Sequence, residues 1–497
     1  MIYRLPAPRR LPYLEIGLIA ALVLASLFLI AVFGAGLGLY ATAAAVVLPV
    51  GLLAVRWPTA TAVTFIAFTP INRFVIMIVY HYSHSLLVTK SVEVWKEAIL
   101  GAILMRVFYD VFFTPTRKHK VLPMDILALF FVAIGLVYLL YPGALNSNFL
   151  ARVQGLRADT VFLLAYFAGR GLHLNRTRLR WIVAAIIPGA IVVAIVALFQ
   201  FVEPTLANKL FEYLGYSDFV KFQGKIGDSI AVRNRDLPGA ASLPRAGSLL
   251  LGDLALAFFQ ILTVSLAAAM FYGARRLRTI MLNGLFLALM LGALAVTLSR
   301  SAMASGAAAI ALAAVPARAL GRTLLFGAVA LLLVVGVILS GYIKVTTVSA
   351  LVNLGDASAV KHVAAIQNSL TLIVQYPLGR GLGTAGNIGQ QQQGGQGITN
   401  ESWYLQIGTE MGVLGMAAYL ALVAIAMVVA LRQFLKVHDY WLRTITLTVA
   451  TAAVAMLVLG QFLHAWENTP LSMVFWLFAG IAVHAKDLED APDFNEA

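Results

Sequence analysis

The chain has 497 residues, of which 61% are hydrophobic and only 12% charged, and its formal net charge at pH 7 is +14. A mean hydropathy of +0.88 lies far from soluble globular domains, in which roughly 45–50% of residues are apolar and about 25% charged. This excludes an ordinary soluble enzyme, and the complete lack of cysteine excludes disulfides, thiolate catalysis and thiolate metal sites.

The apolar residues come in runs long enough to cross ~30 Å of hydrocarbon as helices. "MIYRLPAPRRLPYLE" gives a basic start, but the run that follows is span-length and leads into another, so it reads as an uncleaved first span. About 14 spans are expected. In chain order they centre on 14–33, 36–54, 59–80, 93–113, 124–142, 158–173, 181–201, 247–272, 280–298, 301–317, 323–342, 408–431, 444–463 and 471–484. The third is interrupted by Thr69-Pro70 and carries Arg73. The organisation expected is an N-terminal bundle (1–201), a long loop (202–246), a central helical segment (247–342), a second long loop (343–407) and C-terminal helices (408–497). The fold class is all-α, a polytopic membrane protein with short helices in its two long loops.

Loop charge gives the orientation. "MIYRLPAPRR", "TRKHK", "NRTRLR", "ARRLR", "ARALGR" and "RQFLK" occupy every second connection. The positive-inside rule then places these stretches and both termini in the cytoplasm, and the two long loops outside. Positive charge spread over short loops also removes the nucleic-acid reading. The second loop contains the amphipathic stretch "AVKHVAAIQNSLTLIVQY" and then a Gly/Gln-rich stretch near 389–398 with a mobile composition.

A charge at a span costs about 2.5–3.5 kcal/mol on insertion scales, so such residues mark sites or pathways. Arg300, in "AVTLSRSAMASG", sits between two apolar runs with almost no loop. Its bland reading is a snorkelling interface arginine. Arg245 stands where the first long loop meets a span, with Asp253 two turns on, read as a buried partner. Glu401, in "TNESWYLQ", is either a first-turn carboxylate favoured by the helix dipole or a working group at the membrane surface. Glu410 reads as a packing residue, and Trp403 and Tyr404 as interfacial anchors. His362 and Lys361 on the amphipathic stretch, Arg380 in "GRGLGT", and His464 in "FLHAWENTP" are accessory candidates. No zincin, Walker A or nucleophile-elbow motif is present, and "GRGLGTAG" neither follows a strand nor opens a dinucleotide unit. No metal or other cofactor is expected.

Four stretches, "RAGSLLLGDLALAFF", "LAVTLSRSAMASGAAAIAL", "HVAAIQNSLTLIVQYPLGRGLGT" and "NESWYLQIGTEMGVLGMAAYL", stand in the order found in one family. The chain resembles the O-antigen ligase and Wzy-type polysaccharide polymerase superfamily of bacterial inner-membrane proteins. The likeness covers residues 240–430 by motif and the first 200 by span pattern. It implies transfer of a glycan from an undecaprenyl-diphosphate carrier to an acceptor hydroxyl at the periplasmic face. Arg245 and Arg300 match the arginines thought to hold the diphosphate, whose departure needs cationic stabilisation.

One departure bears on the reaction. The ligases usually carry a His-Asn pair in the turn before Tyr-Leu-Gln, whereas here the turn is Asn400-Glu401-Ser402. Glu401 is expected as the general base, its value lifted toward neutrality by burial. This tilts the reading toward a polymerase of O-antigen or exopolysaccharide. The second reading is a ligase joining the glycan to lipid A core or another terminal acceptor. The third, from a different class, is a flippase or transporter of lipid-linked glycan. A chain-length regulator and a flippase are the further partners considered.

Overall fold

Away from water, a helix satisfies its backbone hydrogen bonds within one segment, so apolar runs of span length fold as helices. The computed structural model describes residue 51 and residues 54–495, apart from 114–119, 141–148, 223–229, 238–239, 320, 325–326, 329–356, 393–397 and 399. Among the described residues seven helices are long and apolar enough to cross a membrane. These are Pro58–Ser83, Pro123–Leu140, Arg176–Val202, Asp253–Gly273, Leu277–Ala295, Trp403–Lys436 and Tyr440–Leu459. Arg300–Ala314 and Thr469–Ala482 are shorter apolar helices. On Pro123–Leu140 large apolar side chains face outward, Ile126 at 61% exposure and Val137 at 63%, an arrangement that hydrocarbon tolerates and water does not.

The full expected count is not reached among these residues. The spans expected at 14–33, 36–54 and 323–342 fall almost wholly outside them. The span expected at 158–173 is instead a 3₁₀ turn, Val161–Leu163, followed by the short helix Leu164–Gly171. That helix lies backbone to backbone against Thr469–Ala482, because Gly169 and Gly480 present no Cβ to the Leu477 and Tyr166 carbonyls. Its apolar residues are used inside the protein. The run expected at 93–113 does form a helix, Trp95–Phe113, but it carries Lys96, Glu97, Arg106 and Asp110, which pair locally (Arg106 Nε to Asp110 Oδ2, 3.0 Å).

The third span is broken where its sequence suggested. Thr69–Ile71 forms a 3₁₀ turn around Pro70, between helices Pro58–Phe68 and Asn72–Ser83. Trp95 pins the break: its Nε1 donates to Asn72 Oδ1 at 2.7 Å, and its ring meets Phe65 and Phe68 at 5.5 and 4.9 Å. The first long connection is not purely helical. After helices Pro204–Tyr213 and Tyr216–Phe222 comes an antiparallel hairpin of Arg233–Leu237 with Ala240–Arg245.

Three helices give the protein two distinct ends. Asp253–Gly273, Trp403–Lys436 and Tyr440–Leu459 pack side by side. At one end Trp403 N donates to Gly460 O (2.9 Å) and Phe258 meets Trp466 at 5.9 Å. At the other, Arg322 Nη1 donates to Ala274 O (2.9 Å), Arg443 Nη1 to Val437 O (3.0 Å), and Arg176 pairs with Asp439 (2.7 Å). The stretches "NRTRLR", "ARRLR", "ARALGR" and "RQFLK" therefore gather at this second end, as their alternation predicts. Tyr419 anchors the interior, its ring 5.2 Å from Phe131, 5.7 Å from Trp466 and 6.1 Å from Trp403.

Candidate functional site

The cationic half of the site is built on the turn Val296–Ser299. Thr297 Oγ1 donates to Leu294 O (2.7 Å) and accepts from Ser299 N (3.3 Å), while Leu298 adopts φ 51°. Ser299 caps the next helix, its Oγ accepting from Ala302 N at 3.4 Å, so half-buried Arg300 is the first helical residue. The hairpin descends on the same turn. Ala246 N donates to Val296 O (3.1 Å), Arg245 Nε to Thr297 O (2.7 Å), and the Arg235 guanidinium to Leu298 O. Arg245 and Arg300 thus share one turn, although they come from different stretches of chain. Asp253 partners Arg245 directly, its Oδ2 lying 2.6 Å from Nε.

One further cation that the sequence reading did not enlist, Arg73, stands near Asp253, and a second, Lys96, stands near Arg73. Arg73 follows the 3₁₀ break, and its Nη1 is 4.0 Å from where a Cβ on Gly252, next to Asp253, would sit. The Asn72–Trp95 bond brings Arg73 near buried Lys96, whose Nζ donates to Glu93 O at 2.8 Å. The signal was available: an arginine beside a proline break inside an apolar run.

The turn before Trp403 divides its labour. Asn400 is fully buried, its Oδ1 accepting from Ser369 Oγ (2.9 Å) and its Nδ2 donating to Thr409 Oγ1 (3.3 Å). Ser402 is the N-cap of Trp403–Lys436, its Oγ accepting from Leu405 N (3.5 Å) and donating to Gly460 O (3.0 Å). Glu401 takes neither role. Its Oε2 lies 3.2 Å from Nδ1 of His362, which comes from helix Ala357–Gln375, with both side chains about one-third exposed (32% and 30%). The hydrogen bond from His362 holds the Glu401 carboxyl below its ordinary value of 4.5, outweighing the burial that would raise it, and nearby His464 adds to the lowering. The expectation of a carboxylate lifted toward neutrality is overturned. His464 Nε2 is buried without a hydrogen-bond partner among the described residues. Lys361 lies on the His362 helix, its side chain outside the described residues.

Trp403 and Tyr404 are not interfacial anchors. They are 0% and 2% exposed, and Tyr404 Oη donates to Met456 O at 2.9 Å. The aromatic centre around Tyr419 has captured both.

The loop carrying Arg380 fills a break in the helix that follows Glu401. Gly412 has φ 70° and ψ −175°, which interrupts Trp403–Lys436. The groups freed there bind the loop: Arg380 N donates to Thr409 O (2.7 Å), Gly381 N to Glu410 O (3.0 Å), and Val413 N to Pro377 O (2.9 Å). Glu410 Oε1 accepts from Ala385 N at 2.8 Å, and Tyr138 Oη donates to Leu378 O. "YPLGRGLGT" and "GTEMGVLG" are therefore two halves of one joint. The Arg380 guanidinium stacks 5.0 Å from the Tyr376 ring, and its Nε lacks a hydrogen-bond partner among the described residues.

The arginine turn and the Glu401 turn lie at the same end of the helices. Asp253 and Phe258 belong to one helix, and the Phe258 ring meets Trp466, two residues beyond His464. Residues 285–420 match the family model described as O-Antigen ligase. The match covers just over a quarter of the chain and is a likeness to the O-antigen ligase family over that segment. The match spans the Arg300 turn, the His362 helix, the glycine loop and the Glu401 turn, and it supports a glycan-transferring function of the ligase or polymerase type. A search of curated proteins finds no match to the chain. Among the described residues no group of His, Asp and Glu side chains is arranged to hold a metal ion.

Proposed function

We propose that the protein is a polysaccharide polymerase of this superfamily. It transfers a growing glycan from undecaprenyl diphosphate to a hydroxyl of another lipid-linked repeat, at the periplasmic face of the bacterial inner membrane. The observation that carries the reading is the convergence, at one end of the helices, of an arginine turn and a Glu401–His362 contact within the segment that matches the O-antigen ligase family.

In this reading Arg300 and Arg245 hold the donor diphosphate, and Asp253 orients Arg245. A guanidinium matches phosphate oxygens in bidentate fashion and takes up the charge that develops as the glycosidic C–O bond breaks. His362 acts as the general base in this reading. Glu401, held as a carboxylate, fixes its Nδ1 and stabilises the imidazolium formed when the acceptor hydroxyl loses its proton, as a buried carboxylate does for histidine in hydrolases. The acceptor oxygen then attacks the anomeric carbon, and undecaprenyl diphosphate leaves. The histidine missing from the turn before Tyr-Leu-Gln is thus supplied from another helix. With that base restored, a ligase that uses a terminal acceptor remains the second reading.

The test supplies purified protein in nanodiscs with undecaprenyl-diphosphate oligosaccharide alone. A ladder of longer lipid-linked glycans that disappears in Arg300→Ala is expected. Product formed only after lipid A core is added assigns a ligase. No product with either acceptor sinks the transfer reading and favours a transporter.

A further inference from the structure

At the end of the helices away from Arg245 and Glu401, a cavity of about 380 Å³ is lined by Tyr272, Arg275, Arg322, Phe434, His438 and Arg443, among others. A 21-residue helix, Asp253–Gly273, separates the two ends, roughly 30 Å at 1.5 Å per residue. The cavity is therefore not part of the transfer site.

Its charge is unbalanced. Among the described residues three guanidiniums line it and no carboxylate does. Arg443 is close enough to Arg275 to feel its repulsion. Glu489, whose charge Arg443 feels, is already engaged: Oε1 accepts from His438 N (2.7 Å) and Asp439 N (2.6 Å), and Oε2 pairs with Lys486 (3.0 Å). Asp439 is occupied by Arg176. Two of the arginines have a structural duty that uses only part of their capacity. Arg322 Nη1 donates to Tyr272 O (3.4 Å) and Ala274 O (2.9 Å), and Arg443 Nη1 to Phe434 O (3.2 Å) and Val437 O (3.0 Å). These bonds cap the ends of two helices. Among the described residues both arginines bond through Nη1, which leaves Nη2 and Nε of each for a ligand.

A second feature bears on the class of ligand. Helix Leu277–Ala295 starts two residues after Arg275, and Leu277, Met281 and Leu285 on it are 73%, 67% and 70% exposed. These residues, four apart, form an uncovered apolar stripe leading away from the cavity. A cationic cavity at the foot of an apolar stripe fits a ligand with an anionic head and acyl chains. We infer that this cavity binds the phosphate of an anionic phospholipid, with the acyl chains laid along Leu277, Met281 and Leu285. Basic pockets between helices at a membrane boundary recognise such headgroups.

The test uses the full chain, delipidated in detergent, with dioleoylphosphatidylglycerol or dioleoylphosphatidylcholine added and bound lipid counted by native mass spectrometry. Preferential retention of phosphatidylglycerol is expected. Arg275→Gln, which removes an exposed side chain with no capping duty, should weaken phosphatidylglycerol binding about fivefold, the equivalent of about 1 kcal/mol per cation. Arg443→Gln should weaken it further, read as the difference between the two lipids so that any loss of the helix cap cancels. Equal retention of both lipids, or an unchanged preference in both variants, overturns the proposal. So does full displacement of phosphatidylglycerol by millimolar inorganic phosphate, which would assign the cavity to a free anion.

Discussion

Gly412→Ala is expected to cost about 2–6 kcal/mol, whereas replacing an ordinary helical glycine by alanine is stabilising. Gly412 has φ 70° and ψ −175°, a region that costs a residue with a Cβ about 1–3 kcal/mol. The new Cβ would overlap the Pro377 carbonyl oxygen and come within 2.7 Å of the Leu378 carbonyl carbon. Both are main-chain atoms, so no side chain can swing aside. Relief requires the loop to retreat, which breaks the Val413 N to Pro377 O bond (2.9 Å) and leaves polar groups unpaired, at about 1–3 kcal/mol. Gly101→Ala is the control, because it lies in a helix and its Cβ would meet nothing within 4 Å; it should stabilise by about 0.5–1 kcal/mol. Thermal unfolding in detergent, followed by the fluorescence of buried Trp403 and Trp466, reads both variants. A Gly412→Ala protein that unfolds at the Gly101→Ala temperature would refute the joint between loop and helix break.

Three other outcomes are expected. His362→Gln should lower turnover by about 10²–10⁴-fold with substrate affinity little changed, measured as kcat against KM, whereas equal loss in both would remove it as base. The stability that Glu401 derives from His362 belongs to a group whose folded value is depressed. It is fully present above pH 4.5 and is lost as the pH falls through the lower folded value, so wild type and Glu401→Gln should converge in unfolding temperature only at acid pH. Asp253→Asn should keep the fold and reduce transfer, and Arg245→Lys should also reduce it, since an ammonium lacks the Nε that meets Thr297 O and Asp253 and cannot offer a phosphate the planar fork of a guanidinium.

Composition alone was enough to make this a helical membrane protein, because a run of apolar residues has few other ways to satisfy its backbone in hydrocarbon. The break at Thr69-Pro70, the helix carrying His362 and the shared end of the basic loops were legible for similarly local reasons: a proline, an amphipathic period and a charge alternation. The arginines could be read as a pair only through the order of four motifs. What the chain could not disclose was long-range. Glu401 and His362 are far apart in sequence, and only the packing of Ala357–Gln375 against the Asn400 turn, through Ser369, brings their side chains together. That contact reverses the direction in which Glu401 shifts, since the histidine outweighs burial. Trp403 and Tyr404 carry the pattern of surface aromatics, yet the rings around Tyr419 hold them inside. A residue type records what a side chain is able to do. Which of those options it takes depends on the neighbours that folding supplies.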